Sequence, residues 1–294
     1  MTIRDDFCVL ILTHGRPNNV LTIRALKEAG YTGPVLFVVD DKDKTIPEYQ
    51  RKFGKDRVLV FSKDEVAKTT DQGDNFLSQT AITYARNVSF RLAKEAGYRY
   101  FIQLDDDYMA FYWRFDDEAR YGHWRIRDID VLFNGLVGFL AATPFLSVAI
   151  SQGGDHIAGA LSKKTVGTRR KAMNSFVCDA QRPFQFSGKM NEDVNTYTAL
   201  QRRGGAFLTF MAAQVNQKMS QLGEGGMSGI YADAGTYVKS FYSVMYAPSC
   251  VVVAPLKGNA RSVDQKDPGS RIHHRVYWNH AAPKIVPERL KRTS

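Results

Sequence analysis

Three consecutive carboxylates, Asp105, Asp106 and Asp107, stand directly after an apolar run at 100–104. Three negative charges this close together repel one another unless a cation neutralises them. Carboxylate oxygens are the ligands that Mg²⁺ and Mn²⁺ prefer, and these ions in turn bind diphosphates. In an extended segment Asp105 and Asp107 share one side, and Asp106 takes the other. The triplet therefore predicts a divalent-cation site, with an Asp-rich turn capping the next helix as the alternative.

A second acidic pair, Glu192 and Asp193, stands at the start of a helix predicted over 192–202. A carboxylate in this position is often only a cap or a partner of the helix dipole. Together with the aspartate triplet, however, the pair suits a general base that removes the proton from an acceptor hydroxyl.

The elements that must position these residues alternate along the first hundred residues. Strands are predicted at 7–12, 35–39, 58–61 and 100–104, with helices at 18–29 and 81–96. Such alternation predicts a mostly parallel sheet with right-handed crossovers. Ligands of these sheets bind beyond the carboxyl ends of the strands. Thr13, Arg16 and Asp40 are expected at that edge together with the triplet.

The second half of the chain is less regular. We predict helices at 128–142, 192–202 and 234–245, strands at 145–150, 207–211 and 250–253, and a glycine-rich lid at 222–229. Neither a fixed repeat nor a long linker interrupts the chain. We therefore predict one α/β domain over 1–294, with a nucleotide-type half at 1–110 and an acceptor-type half at 111–294.

The composition limits the class of protein. With 294 residues, 44% hydrophobic and 24% charged, the chain is neither disordered nor collagenous. Three widely spaced cysteines predict neither a disulfide framework nor a thiolate metal site. The start lacks the features of a signal peptide, and the longest apolar stretch, 131–149, is broken by Pro144. A cytoplasmic protein without a membrane partner is expected.

The net charge of +10 suits an anionic partner, although a solvated basic surface would give the same number. One basic run lies in a predicted loop and is expected to contact nucleic-acid phosphates; it contains Lys163, Lys164, Arg169, Arg170 and Lys171. Aromatic residues follow the triplet at 108–124. They could stack on a sugar or on a flipped base, but for most of them a place in the core is favoured.

The order of these features resembles the GT-A-fold nucleotide-sugar glycosyltransferases. The matching segments are Thr13-His14-Gly15-Arg16-Pro17, Asp40, Ala85-Arg86-Asn87, the DxD motif at Asp105 to Asp107, and Asn191-Glu192-Asp193. The resemblance implies a Rossmann-like, mostly parallel central sheet flanked by helices. Residues 1–110 would bind the nucleotide sugar. Residues 111–294 would supply the acceptor side, the catalytic base and a basic C-terminal tail.

The resemblance also implies roles for single residues. Thr13, Arg16 and Asp40 would contact the nucleoside, Arg86 would lie near the diphosphate, and Asp105 and Asp106 would bind the donor. Asp107 would be the surer metal ligand. Asp193 would be the base of an inverting transfer, with Glu192 beside it. Neutral imidazole is a good ligand for transition metals, and of the tail histidines His274 is the preferred second ligand.

Three segments also resemble the phage-type TET/JBP-associated DNA-base glycosyltransferases: ILTHGRP at 11–17, KMNEDVNTY at 189–197 and HHRVYWNHAAPK at 273–284. This finer resemblance implies a UDP-sugar donor, Mn²⁺ or Mg²⁺, and DNA with a hydroxymethylated pyrimidine as acceptor. The protein would then bind and modify bacteriophage DNA in the host cytoplasm. A base inside a duplex is out of reach, so the substrate would be flipped or single-stranded.

Other functions fit some of the same residues. A transferase acting on a glycan or protein, or a nucleotidyltransferase, would use the same scaffold. A non-catalytic nucleic-acid-binding protein would need only the basic residues, and a metal hydrolase would need only the aspartate triplet.

Overall fold

The computed structural model describes residues 2–74, 79–164, 167–217, 238–256 and 271–282. The strands are β1 Phe7–Leu12, β2 Val35–Asp40, β3 Val58–Phe61, β4 Tyr100–Asp105, β5 Tyr108–Phe115, β6 Tyr121–Arg125, β7 Phe145–Gln152, β8 Phe176–Asp179, β9 Ala206–Gln217, β10 Val251–Leu256 and β11 Arg271–Val276. The α-helices are α1 Leu21–Glu28, α2 Ile46–Phe53, α3 Lys63–Thr69, α4 Thr83–Glu95, α5 Ile129–Ala142, α6 Glu192–Gln201, α7 Val238–Tyr246 and α8 Trp278–Ala281. Short 3-10 turns lie at Lys55–Arg57, Gly153–His156, Gly159–Lys164 and Gly167–Arg169.

Within this described part, the strands of the main sheet follow the order β3-β2-β1-β4-β8-β7-β9-β5-β6, and β10 pairs with β11 separately. The pairings β3–β2, β2–β1 and β1–β4 are all parallel. All six residues of β1 are buried, as expected for a parallel strand covered on both faces. The predicted α/β class is therefore confirmed. The division into a nucleotide-type half and an acceptor-type half stays a prediction.

The rest of the sheet is mixed. β8 runs antiparallel to both β4 and β7, whereas β7 and β9 are parallel. β5 is antiparallel to both β9 and β6. Five features were not predicted from the sequence: the β5–β6 hairpin, β8, β11, α2 and α3. The aromatic segment of β5 and β6 lacks strict alternation, and the two helices are only eight and seven residues long.

Two hydrophobic clusters cover the opposite faces of the sheet. One contains alternate β1 residues, including Val9, with side chains of α1, α2 and α5. The other contains the intervening β1 residues, including Leu10, with side chains of α3, α4 and α6. The aromatics Tyr108 and Phe111 are buried in the first cluster, whereas Trp124 is 44% exposed. The sheet is thereby held rigidly, and the carboxyl ends of its strands are fixed relative to one another.

No helix in the described ranges has both the length and the apolar character needed to cross a membrane. The segment 222–229, predicted as a lid, lies outside the described residues.

Candidate active site

The loop after β1 packs onto the aspartate triplet. β1 and β4 are in parallel register with Leu12 opposite Asp105, so the residues that follow meet at one edge of the sheet. The Thr13 hydroxyl donates a hydrogen bond to Asp106 Oδ2 at 2.7 Å, and Arg16 Nη2 lies 3.0 Å from Asp106 Oδ1. Burial raises the pKa of Asp106, against the opposing effects of Arg16 and Thr13. Three predicted donor-binding residues thus form one cluster.

Asp40, at the end of β2, holds the other side of the same loop. His14 Nδ1 lies 2.7 Å from Asp40 Oδ2, and Lys63 Nζ lies 3.0 Å from Asp40 Oδ1. Burial alone would raise the pKa of Asp40, but these two hydrogen-bonding partners outweigh it and the pKa is lowered. Asp40 therefore stays ionised. Its predicted contact with the nucleoside stays a prediction.

Two residues that the sequence analysis missed shape this loop. The Gly15 backbone N–H donates to Asp43 Oδ2 at 2.6 Å, with Gly15 at φ +69°. The hydroxyl of Tyr49, a fully buried residue, lies 2.7 Å from Thr13 Oγ1 and accepts a hydrogen bond from the Arg16 N–H. Asp43 could have been predicted, because it belongs to the acidic stretch that follows β2. Tyr49 lies in α2, which was not predicted.

Arg86 of α4 joins the two acidic clusters. It is only 1% exposed, and its Nη2 lies 3.1 Å from Asp105 Oδ1 while its Nε lies 2.9 Å from Glu192 Oε1. Burial, aided by the nearby carboxylates and opposed by Arg86, raises the pKa of Asp105 to about 7. Residues far apart in the sequence therefore meet around one guanidinium. Arg86 is thus engaged by two carboxylates through Nη2 and Nε. Its predicted place near a diphosphate stays a prediction.

Asp193 lies in the first turn of α6, a polar helix that is nevertheless mostly buried. The residue is 8% exposed, and its Oδ1 accepts a hydrogen bond from the Val194 N–H at 2.8 Å. Burial raises the pKa of Asp193 to about 6, and the neighbouring charge of Glu192 adds to the effect. A carboxylate that ionises close to neutral pH has the basicity that a general base requires.

The C-terminal strand brings His274 to this helix. The ring of Trp278 stacks on Tyr197 of α6 at 5.7 Å between centroids. His274 Nδ1 lies 3.3 Å from Asn191 Nδ2, and its Nε2 lies 3.0 Å from Lys171 Nζ. Burial lowers the pKa of His274, and the charge of Lys171 lowers it further, so the imidazole is neutral.

Asp107 follows β4 and accepts a hydrogen bond from Gln217 Nε2 at 2.9 Å. In the described ranges, no three His, Cys, Asp or Glu side chains form a ready-made metal-binding group. The assignment of Asp107 and His274 as metal ligands therefore stays a prediction.

The described side chains of the basic run that was predicted to bind nucleic acid point in different directions. Arg169 is exposed, but Arg170 Nη1 donates to the Asp155 carbonyl at 2.7 Å. Lys171 faces His274, and burial lowers its pKa against the attraction of Asp193. The side chains of Lys163 and Lys164 lie outside the described residues. Arg170 and Lys171 are thus directed to partners within the fold, and the assignment of the run to nucleic-acid phosphates stays a prediction.

The sequence matches the model of the TET-Associated Glycosyltransferase family over residues 7–226. The chain belongs to that family. The match includes both acidic clusters and the Thr13–Arg16 loop. No curated protein sequence matches this TET-associated glycosyltransferase.

Solved structures of other transferases resemble its fold distantly. The mannosyltransferase PcManGT from Pyrobaculum calidifontis, in complex with GDP-Man and Mn²⁺, aligns with a TM-score of 0.49 and 14% identity over 76% of this chain and 59% of that one. This chain therefore spans less than two thirds of that protein's length. Glucosyl-3-phosphoglycerate synthase from Mycobacterium tuberculosis, in complex with Mg²⁺ and UDP, aligns with a TM-score of 0.45 and 10% identity over 92% and 86%. The ligands named are those of the two other proteins.

Proposed function

We propose that this TET-associated glycosyltransferase moves a sugar from a UDP-sugar to an acceptor hydroxyl with inversion. The observation that carries the proposal is the contact of Arg86 with Asp105 at 3.1 Å and with Glu192 at 2.9 Å. This contact brings the aspartate triplet and the start of α6, with Glu192 and Asp193, to one edge of the sheet. A donor held at the aspartate triplet would then lie beside Asp193, whose pKa of about 6 suits a general base.

The reaction itself needs one proton transfer and one displacement. Asp193 takes the proton from the acceptor hydroxyl while the oxygen attacks the anomeric carbon. The bond from that carbon to the β-phosphate oxygen breaks, and UDP leaves with the bonding electron pair. Glu192, held by Arg86, keeps a negative charge beside Asp193 and so maintains its basicity.

On the donor side, Thr13, Arg16 and Asp40 would bind the nucleoside. The contacts of Thr13 and Arg16 with Asp106 and Tyr49, and of Asp40 with His14, hold this loop in place before the donor arrives. Asp105 and Asp106 would face the donor, and Arg86 would position Asp105.

A divalent cation fits the donor chemistry of this edge. Asp105 and Asp106 lie beside arginines, and Asp107 accepts a hydrogen bond from the amide of Gln217. Three carboxylates at one edge supply the oxygen ligands that Mg²⁺ and Mn²⁺ prefer. His274 is neutral, as a metal ligand must be. Mn²⁺ or Mg²⁺ would be held by Asp107, with His274 as the candidate second ligand, and would stabilise the departing diphosphate.

Asp107→Ala is expected to lower metal-dependent transfer about 100-fold or more, because a metal ion supplies several kcal/mol of charge stabilisation. The same change should weaken Mn²⁺ binding measured by calorimetry in the presence of UDP. The control is Asp117→Ala, which removes an exposed carboxylate of the β5–β6 turn. Wild-type Mn²⁺ affinity in Asp107→Ala would remove this residue from the metal site.

The acceptor that we propose is the hydroxymethyl group of a modified pyrimidine in DNA. A net charge of +10 on an enzyme with an acidic site supports a polyanionic partner. The test is a panel of sugar nucleotides against hydroxymethylated and unmodified DNA, read by the mass of the digested nucleosides. A hexose mass on the hydroxymethylated nucleoside alone supports the proposal. UDP release without a glycosylated nucleoside would instead indicate a hydrolase or another acceptor.

Arg169→Ala is expected to weaken DNA binding and to reduce the slope of log K against log salt concentration by about 1, because one phosphate contact is lost. Fluorescence anisotropy across a salt series measures both quantities. Arg24→Ala, which removes an exposed arginine of α1, should leave the slope unchanged. If Arg169→Ala leaves it unchanged as well, Arg169 is not part of the DNA interface.

A further inference from the structure

Four buried side-chain atoms at the carboxyl edge of β7 and β9 have no hydrogen-bond partner within the described part of the chain. They are Arg114 Nε, Gln152 Nε2, His156 Nδ1 and Gln214 Oε1, here called the polar cluster. His156 and Gln214 are each only 6% exposed. Buried polar groups are nearly always paired in folded proteins, so several unpaired groups in one place require an explanation.

The members of the polar cluster are neighbours. Ser151 of β7 is in register with Gln214 of β9, and its Oγ lies 2.7 Å from His156 Nε2. The Arg114 guanidinium lies 4.4 Å from the centre of the Tyr121 ring, and that ring lies 6.0 Å from the imidazole of His156. Arg114 and Gln214 therefore lie near the Ser151–His156 pair, and Gln152 follows Ser151 directly in the chain.

The hydrogen bonds of Ser151 determine the tautomer of His156. The single hydroxyl proton of Ser151 is donated to the Ala213 carbonyl at 2.6 Å. Ser151 Oγ must then accept from His156 Nε2–H, which leaves His156 Nδ1 with a lone pair. Burial, together with the charges of Arg114 and Arg170, lowers the pKa of His156 to about 4. The imidazole is therefore a neutral acceptor at pH 7.

The polar cluster thus offers two donors, Arg114 Nε–H and the Gln152 amide, and two acceptors, His156 Nδ1 and Gln214 Oε1. A planar heterocycle that carries donors and acceptors on one edge is complementary to such a set. Aromatic rings suited to stacking adjoin it, because Phe115 and Tyr121 lie 6.4 Å and 6.0 Å from the His156 ring.

The polar cluster adjoins the candidate catalytic base. Arg170 Nη1 donates to the carbonyl of Asp155, which immediately precedes His156. Lys171, the next residue, contacts His274, and its charge acts on Asp193. A ring seated at the cluster would therefore lie on the acceptor side of the site.

We propose that Gln152, His156 and Gln214 bind the heterocyclic ring of the acceptor, a pyrimidine, and so select the base that is glycosylated. The proposal rests on the proposed function, because it assigns the acceptor end of that reaction. These residues would recognise the ring by its hydrogen-bonding edge, and they would leave the donor sugar untouched.

The matched pair of variants is Gln214→Met and Gln201→Met. Both glutamines are buried with an unpaired side-chain oxygen, but Gln201 lies at the far end of α6. Methionine has a similar shape and no amide, so neither change should lower the thermal midpoint appreciably. Only Gln214→Met should raise KM for hydroxymethylated DNA, by about tenfold or more, with the Kd for UDP unchanged.

The outcomes separate this inference from the proposed function. If the wild type glycosylates hydroxymethylated DNA and Gln214→Met has an unchanged KM and an unchanged affinity for that DNA, the inference is wrong and the function stands. If the wild type transfers sugar only to a non-nucleic acceptor, the inference and the proposed DNA acceptor are both wrong, whereas sugar transfer itself stands. A rise in KM confined to Gln214→Met supports the inference, and equal effects in both variants would attribute the change to packing.

Discussion

Asp193→Asn is expected to reduce sugar transfer by about 10²–10⁴-fold while leaving the affinity for UDP unchanged. Asparagine keeps the shape of the side chain but cannot take the acceptor proton. The residue lies in the first turn of α6, 8% exposed and next to Glu192. Single-turnover transfer and UDP titration measure the two quantities separately.

The pH dependence of the same reaction gives a second readout. Because burial raises the pKa of Asp193 to about 6, the wild-type rate should rise as the pH increases through that value. Glu192 on the same helix contributes to this raised pKa, and Arg86 and Lys171 oppose it. A flat profile in a chemistry-limited assay would contradict the assignment.

The control for Asp193→Asn is Asp64→Asn. Asp64 also lies in the first turn of a helix, α3, but it is exposed and pairs with Lys42 at 2.6 Å. A loss of helix-dipole stabilisation would affect both variants, whereas a loss of the base affects only one. Full turnover by Asp193→Asn would require a different base.

Arg86→Met is expected to destabilise the protein by about 3–5 kcal/mol, because it leaves Asp105 and Glu192 buried without their counter-ion. At roughly 2–4 °C per kcal/mol for a domain of this size, the thermal midpoint should fall by about 10 °C. Calorimetry or circular dichroism measures this shift. The rate of sugar transfer should also fall, because the aspartate triplet and α6 are no longer held together.

Arg91→Met is the matched control, since it removes another arginine of the same helix. Arg91 is 57% exposed and pairs with Glu95 at 2.9 Å, an i,i+4 surface pair. Such pairs contribute about 0–1 kcal/mol, so the midpoint should change little. Equal shifts in the two variants would show that Arg86 does not hold the clusters together.

The sequence was most informative where structure is local. β1 and β3 have the predicted bounds, because parallel strands covered on both faces are continuous apolar runs. Gly30 and Gly97, which follow α1 and α4, adopt φ of +79° and +89°, a conformation that favours glycine at a helix end. The positions of the two acidic clusters on their elements could be predicted for the same reason.

Features that depend on tertiary contacts could not be predicted. Arg86 can bridge Asp105 and Glu192 only because α4 and the start of α6 lie close together. A local sequence pattern does not predict which helices lie close together. The orientation of Arg170 and Lys171 depends on Asp155 and His274, from distant parts of the chain. The basic run predicted phosphate contacts from charge alone, and charge alone does not show which side chains have partners within the fold.

The order of strands has a consequence for engineering chimeric enzymes. β5 follows β4 directly in the chain, yet β8, β7 and β9 lie between them in the sheet. In a fusion joined near residue 107, β4 comes from one parent and β5, β8 and β9 come from the other. β4 would then pair with a foreign β8, so the strand pairing across the middle of the sheet would change. Exchanging acceptor preference between relatives should therefore succeed by transplanting single side chains, and recombination of whole segments should produce misassembled sheets.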